Sequence, residues 1–434
     1  MPYVCATRSK RAKISGWLLF LLFVICIVAF MTLGYRKQVN NPLGSDLDVY
    51  LHAARSMLED GEMYLTQNRG GKYYRYPPLL AVMISPLARA PYEYAVLTWA
   101  AINAVLLSMT CLTWYYATSG SRFWRAPLKT QWVVGGLTLL VALRYVLSHF
   151  YYGQSNLLIL ACIVVGCVLI FGGRSVSGGA LIGLSLVIKP FAVPFMVWFT
   201  VSGRWRVVLA AAGGAVIGLH LPALQVGFGR NYEYLTQWTG HMVESASPTN
   251  VWMESNNVSL YASIHRLFTD MEVAHLDGTV SNISVLALPD YIVHATAWLA
   301  FIAILGWVIW VTRRYGAATN KRIQTAVASF IFALVPVLTT TAQKHYFVML
   351  IPAIIYVLYA WLVIQYRDAV FRVLVVISFT LLTATGPALW PREWAQAFQS
   401  AGLISVAAIL LAAAIFRTCD VPNQHSPQSI PEPV

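Results

Sequence analysis

Of 434 residues, 58 % are hydrophobic and only 11 % charged, with a mean hydropathy of +0.62; a soluble domain carries about 25 % charged residues, so a water-soluble protein is excluded and an all-α, polytopic membrane protein is predicted. The formal net charge of +13 does not point to nucleic acid, because the cations gather in short stretches between apolar runs, as they do in cytoplasmic loops, where they also suit anionic membrane lipids. The six cysteines (Cys5, Cys26, Cys111, Cys162, Cys167 and Cys419) fall in apolar segments or in tails assigned to the cytoplasm, which excludes a disulfide framework.

In chain order, Arg8, Lys10, Arg11 and Lys13 precede a first span over about Ile14–Leu33. It is long for a signal segment and lacks a small-residue cleavage site, so it is read as an uncleaved span with its start inside. Residues 34–94 then form a first extracytoplasmic loop. Within it, Val49, Leu51, Ala53, Ala54, Met57 and Leu58 recur at helical spacing, which predicts an amphipathic helix on the membrane surface, ended by Gly61. Span two (about Ala95–Ala117) leads to the basic Arg122–Lys129 loop, and span three (about Gln131–Leu147) leads out to Ser148–Asn156. Span four (about Leu157–Phe171) returns.

Gly178–Trp205 is anomalous. Arg174 before it and Arg204 and Arg206 after it belong inside, yet it has apolar length for only one crossing, broken at Lys189-Pro190. Two half-length helices meeting at that dipeptide satisfy both constraints, as a re-entrant hairpin surrounded by protein or a cavity. The alternative is one Pro-kinked span that violates the positive-inside rule once. A span over about Val207–Val226 crosses outward to a second extracytoplasmic loop, residues 227–290. Five more (about Tyr291–Val311, Ile323–Thr340, Tyr346–Ile364, Val373–Leu389 and Ala401–Phe416) complete a single transmembrane domain over residues 1–417, with about 11–12 membrane segments. Residues 418–434, with four prolines, read as a disordered cytoplasmic tail. Every basic short loop then lies inside, while Asp46, His149, Asn257 and His345 lie outside.

Several outside residues carry chemistry. Ser45 or Asp46 suits a helix N-cap, and equally Asp46 or Asp48 suits a carboxylate that takes a proton from an attacking hydroxyl. On a helix beginning near Asp46 the two side chains point about 200° apart at roughly 3.6 residues per turn, and Tyr50 shares the Asp46 face. Asp-x-Asp also resembles divalent-metal motifs, but two carboxylates without further oxygen ligands are a weak metal signal, so no cofactor is expected. His149, Gln154 and Asn156 open a span from outside, where they serve an interfacial belt and helix cap or contact a sugar or phosphate. Lys189, mid-membrane by hydropathy, is costly there and is expected at a cavity, a pathway or a counter-charge. Lys344 and His345, in a polar break between spans, suit a phosphate through charge-assisted hydrogen bonds.

Together these residues resemble glycosyltransferase family 87, polyprenyl-phosphate-sugar-dependent enzymes of the GT-C class. The resemblance rests on an ordered series: Asp46 and Tyr50; Ala53-Ala54, Gly61 and Tyr64; Tyr76-Pro77-Pro78 and Ser85-Pro86-Leu87; Gly153–Leu158; the small-residue run Gly178–Pro190 ending in Lys-Pro; Asn256–Leu260 with Arg266; and His345 with Leu350 and Pro352. It covers roughly Asp46–Pro352. It implies a GT-C-like bundle, a lipid-linked donor, an extracytoplasmic active site and inversion at the anomeric carbon. The family's catalytic aspartate maps onto Asp46, not Asp48.

The resemblance further implies mannose as the sugar, moved to a glycolipid or lipoglycan acceptor such as a phosphatidylinositol mannoside in α-1,2 linkage, as in mycobacterial and corynebacterial relatives. A polyprenyl-phosphate-arabinofuranose donor is the alternative, since Gln343-Lys344 departs from the mannosyl pattern. His345, Lys344 and Lys189 are then expected to hold the donor phosphate. Tyr50, Tyr76, His149, Gln154, Asn156, Trp252, Asn257 and Arg266 are expected to contact sugar or acceptor. A lipid-linked-sugar transporter or flippase would also carry a re-entrant hairpin and a buried lysine, but would show internal repeats, and none is found. A receptor or scaffold is disfavoured by Lys189 within the bilayer.

Overall fold

The computed structural model describes residues 10–419 except 42, 60, 246–254, 276–279 and 387. Trp252 and the tail beyond residue 419 lie outside the described residues. Within them the chain is helical almost throughout, as expected. Seventeen helices of eight or more residues follow one another: α1 Lys10–Val39, α2 Asp46–Leu58, α3 Pro78–Ala88, α4 Tyr92–Ser119, α5 Gly136–Tyr152, α6 Asn156–Phe171, α7 Ser175–Ile188, α8 Val193–Val201, α9 Trp205–His220, α10 Phe228–Ser245, α11 Leu260–Phe268, α12 Asp290–Tyr315, α13 Lys321–Leu334, α14 Ile351–Leu362, α15 Ala369–Ala384, α16 Arg392–Ser400 and α17 Leu403–Arg417. A two-residue antiparallel pairing, Val273–Ala274 with Val280–Ser281, is the one small sheet among the described residues.

Six helical segments are long and apolar enough to cross a membrane, and α16 with α17, bent by 55°, makes a seventh as a broken span. Crossing the hydrocarbon needs about 20 residues. The other predicted spans are shorter: α6 and α15 have 16 residues and α13 has 14. These short helices survive because protein covers them; in α13 every residue from Gln324 to Leu334 is buried.

The hairpin at Lys189-Pro190 is real. Gly179 of α7 packs on Val207 of α9 and Gly183 on Ala211, so α7 and α9 run in the same direction. The chain between them must therefore return. It does so through α8, whose Trp198 comes back beside Phe171 at the end of α6 (ring centroids 6.1 Å apart). Glycine is needed in this seam, because a Cβ at Gly179, Gly183 or Gly214 would strike the facing backbone, and small residues are what let membrane helices approach this closely. The fourteen residues of α7 lift Lys189 about 21 Å at roughly 1.5 Å per residue. Lys189 is thus held toward the end of the bundle opposite the start of α7.

That end collects the long loops. Tyr234 Oη and Arg230 Nη2 of α10 both donate to the Gly61 carbonyl (3.0 Å each), joining the second loop to the first. The α2 helix departs from expectation. It does not lie on a membrane surface, because nine of its residues, from Leu47 round to Met57, are buried. Ala53 and Ala54 allow close packing, and Arg55 Nε ties α2 to the Ala88 carbonyl at the end of α3 (2.8 Å). Its start is defined by Ser45, whose Oγ accepts from the Asp48 amide at 3.3 Å, a cap stabilising by about 1 kcal/mol. At the opposite end of the bundle, Arg204 Nη2 donates to the Gly316 and Ala318 carbonyls (3.0 and 3.2 Å), securing the basic connection between α12 and α13.

Candidate active site

Four chain turns converge at the loop-bearing end: the start of α2, the α5–α6 corner, the hairpin tip and the polar break before α14. The α5–α6 corner turns on Gly153 at φ +63, where a side chain would be strained and a Cβ would also meet Gln38 and Leu47. The turn delivers Gln154 and Asn156, both buried, into the space between the other three.

Gln154 is the hub. Its Nε2 donates to Asp46 Oδ2, while its Oε1 accepts from Lys189 Nζ at 2.8 Å and lies 3.4 Å from the Tyr50 hydroxyl. Lys189 Nζ also donates to Asn156 Oδ1 at 2.6 Å, and Asn156 Nδ2 donates to the His345 carbonyl at 3.0 Å. The ammonium sits over the rings of Tyr346, Tyr76 and Phe191 at 5.0, 5.2 and 5.7 Å, a favourable placement for a desolvated cation. One bonded chain therefore runs from Asp46 through Gln154, Lys189 and Asn156 to the His345 backbone.

The Asp46 carboxyl is half-buried at the top of this network. Burial raises its pKa above the usual aspartate value, opposed in turn by the charges of Lys72 and Lys189 and by the Gln154 hydrogen bond. Tyr76, Tyr152 and Tyr346 are partly exposed and within electrostatic reach of Asp46. They form an aromatic mouth over a polar floor. Outside it, Lys72 and Arg75 are exposed.

Asp48 faces elsewhere. Its Oδ2 accepts from Arg69 Nε at 3.4 Å, its Oδ1 is 3.4 Å from Arg69 Nη2, and His52 Nδ1 is 3.5 Å away. The Arg69 guanidinium in turn stacks on Tyr92 at 4.4 Å. The two carboxylates hold different partners on opposite faces of α2, and among the described residues no three His, Cys, Asp or Glu side chains come together as a ligand set. Asp48→Asn should therefore cost about 1 kcal/mol of stability, the charged hydrogen bond being discounted for the 41 % exposed Arg69. Thermal unfolding should show a lowered midpoint with turnover largely kept; a collapse of turnover at unchanged stability would contradict this structural role.

His149 Nε2 lies 2.8 Å from Asn103 Oδ1. The Asn103 amide is oriented by its own Nδ2 donating to the Trp99 carbonyl (2.9 Å), so Nε2 carries the imidazole proton. His149 Nδ1 and His345 Nδ1 are both buried with no hydrogen-bond partner among the described residues, and both rings feel the Lys189 charge. With its proton on Nε2, His149 Nδ1 can only accept, so this corner beside the Lys189 cation suits a hydroxyl donor.

Asn257 and Arg266, expected at the sugar, are engaged with backbone. Asn257 Oδ1 accepts from the Ala342 amide at 3.0 Å and its Nδ2 donates to the Thr340 carbonyl at 3.3 Å; Arg266 Nη2 donates to the Asn257 carbonyl. They clamp the segment that leads into Lys344 and His345. Burial lowers the Arg266 pKa to about 10. Lys344 also departs from its expected company. Residues 344–350 form a 3₁₀ turn; Tyr346 stands 5.0 Å from the Lys189 ammonium and His345 lies 5.6 Å from the Tyr152 ring, while Lys344 is within electrostatic reach of Arg144 of α5. Tyr152, Tyr346, Lys72, Arg75 and Arg144 were not singled out from sequence, where each reads as an ordinary interfacial or loop residue. Two apolar grooves, of about 750 Å³ between α1 and α4 and about 410 Å³ between α1, α4 and α5, both lined by such residues as Phe23, Leu112 and Trp124, contain none of the polar cluster.

Residues 74–336 match glycosyltransferase family 87. A polyprenol-phosphate-mannose-dependent alpha-(1-2)-phosphatidylinositol mannoside mannosyltransferase of Mycolicibacterium smegmatis is 23 % identical over 401 residues, covering 87 % of this chain and 81 % of that protein. The protein of the same name from Mycobacterium tuberculosis is 24 % identical over 353 residues, covering 77 % and 75 %. The crystal structure of ArnT from Cupriavidus metallidurans bound to undecaprenyl phosphate aligns at a TM-score of 0.45 and 14 % identity, covering 92 % of this chain and 78 % of that one.

Proposed function

The chain belongs to glycosyltransferase family 87, and from that premise we propose that it is a GT-C-type enzyme that moves mannose from a polyprenyl-phosphate donor to a glycolipid acceptor of the phosphatidylinositol mannoside kind, in α-1,2 linkage. The names of the two mycobacterial relatives support this donor and acceptor. The observation that carries the chemistry is the single carboxylate, Asp46, held by Gln154 beside Lys189 inside an aromatic mouth.

In this reading Asp46 is the general base. The acceptor hydroxyl attacks the anomeric carbon as its proton passes to the Asp46 carboxylate. The new carbon–oxygen bond forms opposite the sugar–phosphate bond, which breaks with its electron pair going to the departing polyprenyl phosphate. One displacement at one carbon inverts its configuration, as in inverting enzymes generally. A phosphate leaving group is already anionic, so it calls for cations rather than a general acid; His345, Lys344 and Lys189 supply donors on that side. Lys189 has a second task, since its bonds to Gln154 and Asn156 orient the base. Tyr76, Tyr152 and Tyr346 offer ring faces and hydroxyls to the sugar, while the fully buried Tyr50 backs Tyr76 and Gln154. Asn257 and Arg266 act indirectly, by fixing the approach of Lys344 and His345.

Purified protein with polyprenyl-phosphate-mannose and a phosphatidylinositol mannoside should yield an acceptor one hexose heavier by mass spectrometry. Polyprenyl-phosphate-arabinofuranose should give no pentose addition. Pentose transfer in place of hexose would overturn the choice of sugar, and translocation of donor without transfer would overturn the enzyme reading.

The reaction is proposed to occur outside the plasma membrane. Exposed Gln67 lies in the loop that follows α2, and exposed Thr319 between α12 and α13. A cysteine introduced at Gln67 should react with an impermeant thiol reagent applied to whole cells, and one at Thr319 should not, with the unsubstituted chain as baseline. The reverse pattern would invert the topology.

A further inference from the structure

Arg144 lies within a segment long and apolar enough to span the membrane, Leu128–Tyr152. It is eight residues before the end of α5, about 12 Å along the helix at roughly 1.5 Å per residue. Its Nη1 donates to Thr385 Oγ1 at 2.9 Å, just beyond α15, and one rung away Tyr145 Oη donates to the Leu382 carbonyl at 2.9 Å. The guanidinium is thus aimed rather than free to swing. The turn of residues 344–350 packs on the same stretch of α5, with the Tyr145 and Phe347 rings 5.7 Å apart, and Lys344, at the start of that turn, is close enough for the two charges to repel. Among the described residues no carboxylate lies within ion-pair distance of either. Two adjacent cations without a counter-charge, one of them fixed in an apolar span, are an expensive arrangement whose natural complement is an anion.

Resting on the donor reading above, we propose that Arg144, Lys344 and Thr385 form the seat of a lipid phosphate, that of the polyprenyl-phosphate donor and of the polyprenyl phosphate left after transfer. Two features favour a lipid over a soluble anion. Leu140 and Leu143, on the turn before Arg144, are 57 % and 38 % exposed, and Val373 and Val376 of α15 are 56 % and 50 % exposed, so the cations sit at a rim open to hydrocarbon. The turn also joins this rim to the Asp46 network: Lys344 begins it within electrostatic reach of Arg144, and two residues on Tyr346 stands 5.0 Å from the Lys189 ammonium, so that one glycosyl phosphate can address both. Arg144 and Lys344 match a phosphate with several charge-assisted donors, and Thr385 serves as a positioning residue that holds the guanidinium.

The test is direct binding of two probes to the full chain in nanodiscs: polyprenyl monophosphate carrying no sugar, and phosphatidylinositol, the other lipid phosphate source. Arg144→Gln and Lys344→Gln should each weaken polyprenyl phosphate by about 10–100-fold, the range for losing a charge-assisted hydrogen bond. Phosphatidylinositol binding should be unchanged. Thr385→Val, which keeps both charges, should weaken polyprenyl phosphate less and in the same direction, and Arg144→Lys should recover part of the loss. Equal polyprenyl phosphate binding by Arg144→Gln and the unsubstituted chain would overturn the inference alone. A selective loss of phosphatidylinositol would overturn it in favour of an acceptor phosphate. Failure of the unsubstituted chain to bind polyprenyl phosphate would overturn the donor reading itself.

Discussion

Asp46→Asn is expected to lower turnover about 10²–10⁴-fold, the usual cost of removing a general base, with donor affinity little changed. Asn keeps the size of Asp and an oxygen that can accept from Gln154 Nε2, so the network and the start of α2 persist. What disappears is the basic oxygen. Asp48→Asn is the internal comparison, because its carboxylate is spent on Arg69 and His52. Comparable loss in the two variants, or greater loss from Asp48→Asn, would return Asp46 to a capping role.

The same carboxylate sets the acid limb of the pH profile. Burial raises its folded-state pKa, and the active form is the ionised one. Protonation therefore persists to higher pH than for a free aspartate, near 3.9, and activity should fall on acidification with a midpoint above that value. In linkage terms the raised pKa contributes stability below the unfolded-state value, and that contribution is lost as pH rises through the folded-state one. The ionised base is thus held at some cost. Lys72, which lowers the Asp46 pKa, offers a check: Lys72→Met should move the midpoint further up. A midpoint at the free-aspartate value in both proteins would contradict a buried base.

Lys189→Met is the second large effect, about 10²-fold or more in turnover, or roughly 2.7 kcal/mol at 1.36 kcal/mol per decade. The ammonium donates to Gln154 Oε1 and Asn156 Oδ1. Without it Gln154 Oε1 keeps only the weak Tyr50 contact at 3.4 Å, and Asn156 Oδ1 keeps no partner among those described. Buried acceptors left unsatisfied reorganise, and here the reorganising group is the one that holds Asp46. Methionine preserves apolar volume, and neither half of the hairpin loses length, so the protein should still reach the membrane at normal abundance. Turnover within threefold of the unsubstituted chain, at equal abundance, would reduce Lys189 to a packing residue.

What could be read from sequence was what local pattern and charge bias encode. Arg174, Arg204 and Arg206, flanking apolar length for only one crossing, favoured a hairpin at Lys189-Pro190 over a single kinked span, and the packing of Gly179 and Gly183 along α9 agrees with the hairpin. Helical spacing separated Asp46 from Asp48, and they do hold different partners. What could not be read depends on contacts distant in sequence. The apolar stripe of α2 looked like a membrane-surface face because nothing local says that α3 will cover it. Nor does a polar break between spans give any hint that Lys344 and His345 begin a 3₁₀ turn packed on α5. Arg144 passed unnoticed in a long apolar run, since its meaning comes from Lys344 and Thr385, 200 and 241 residues further on. Hydropathy also overstated the length of α13, because buried protein interior and lipid interior favour the same residues.

The central claim is one base and one displacement, and the anomeric configuration of the product tests it most directly. Polyprenyl-phosphate-mannose labelled with carbon-13 at the anomeric position is turned over by the purified protein, and the one-bond carbon–hydrogen coupling is compared between donor and glycolipid product by NMR. Asp46 acting alone predicts that the configuration is inverted. A retained configuration would require a second displacement through a covalent or ion-paired intermediate and would contradict the account.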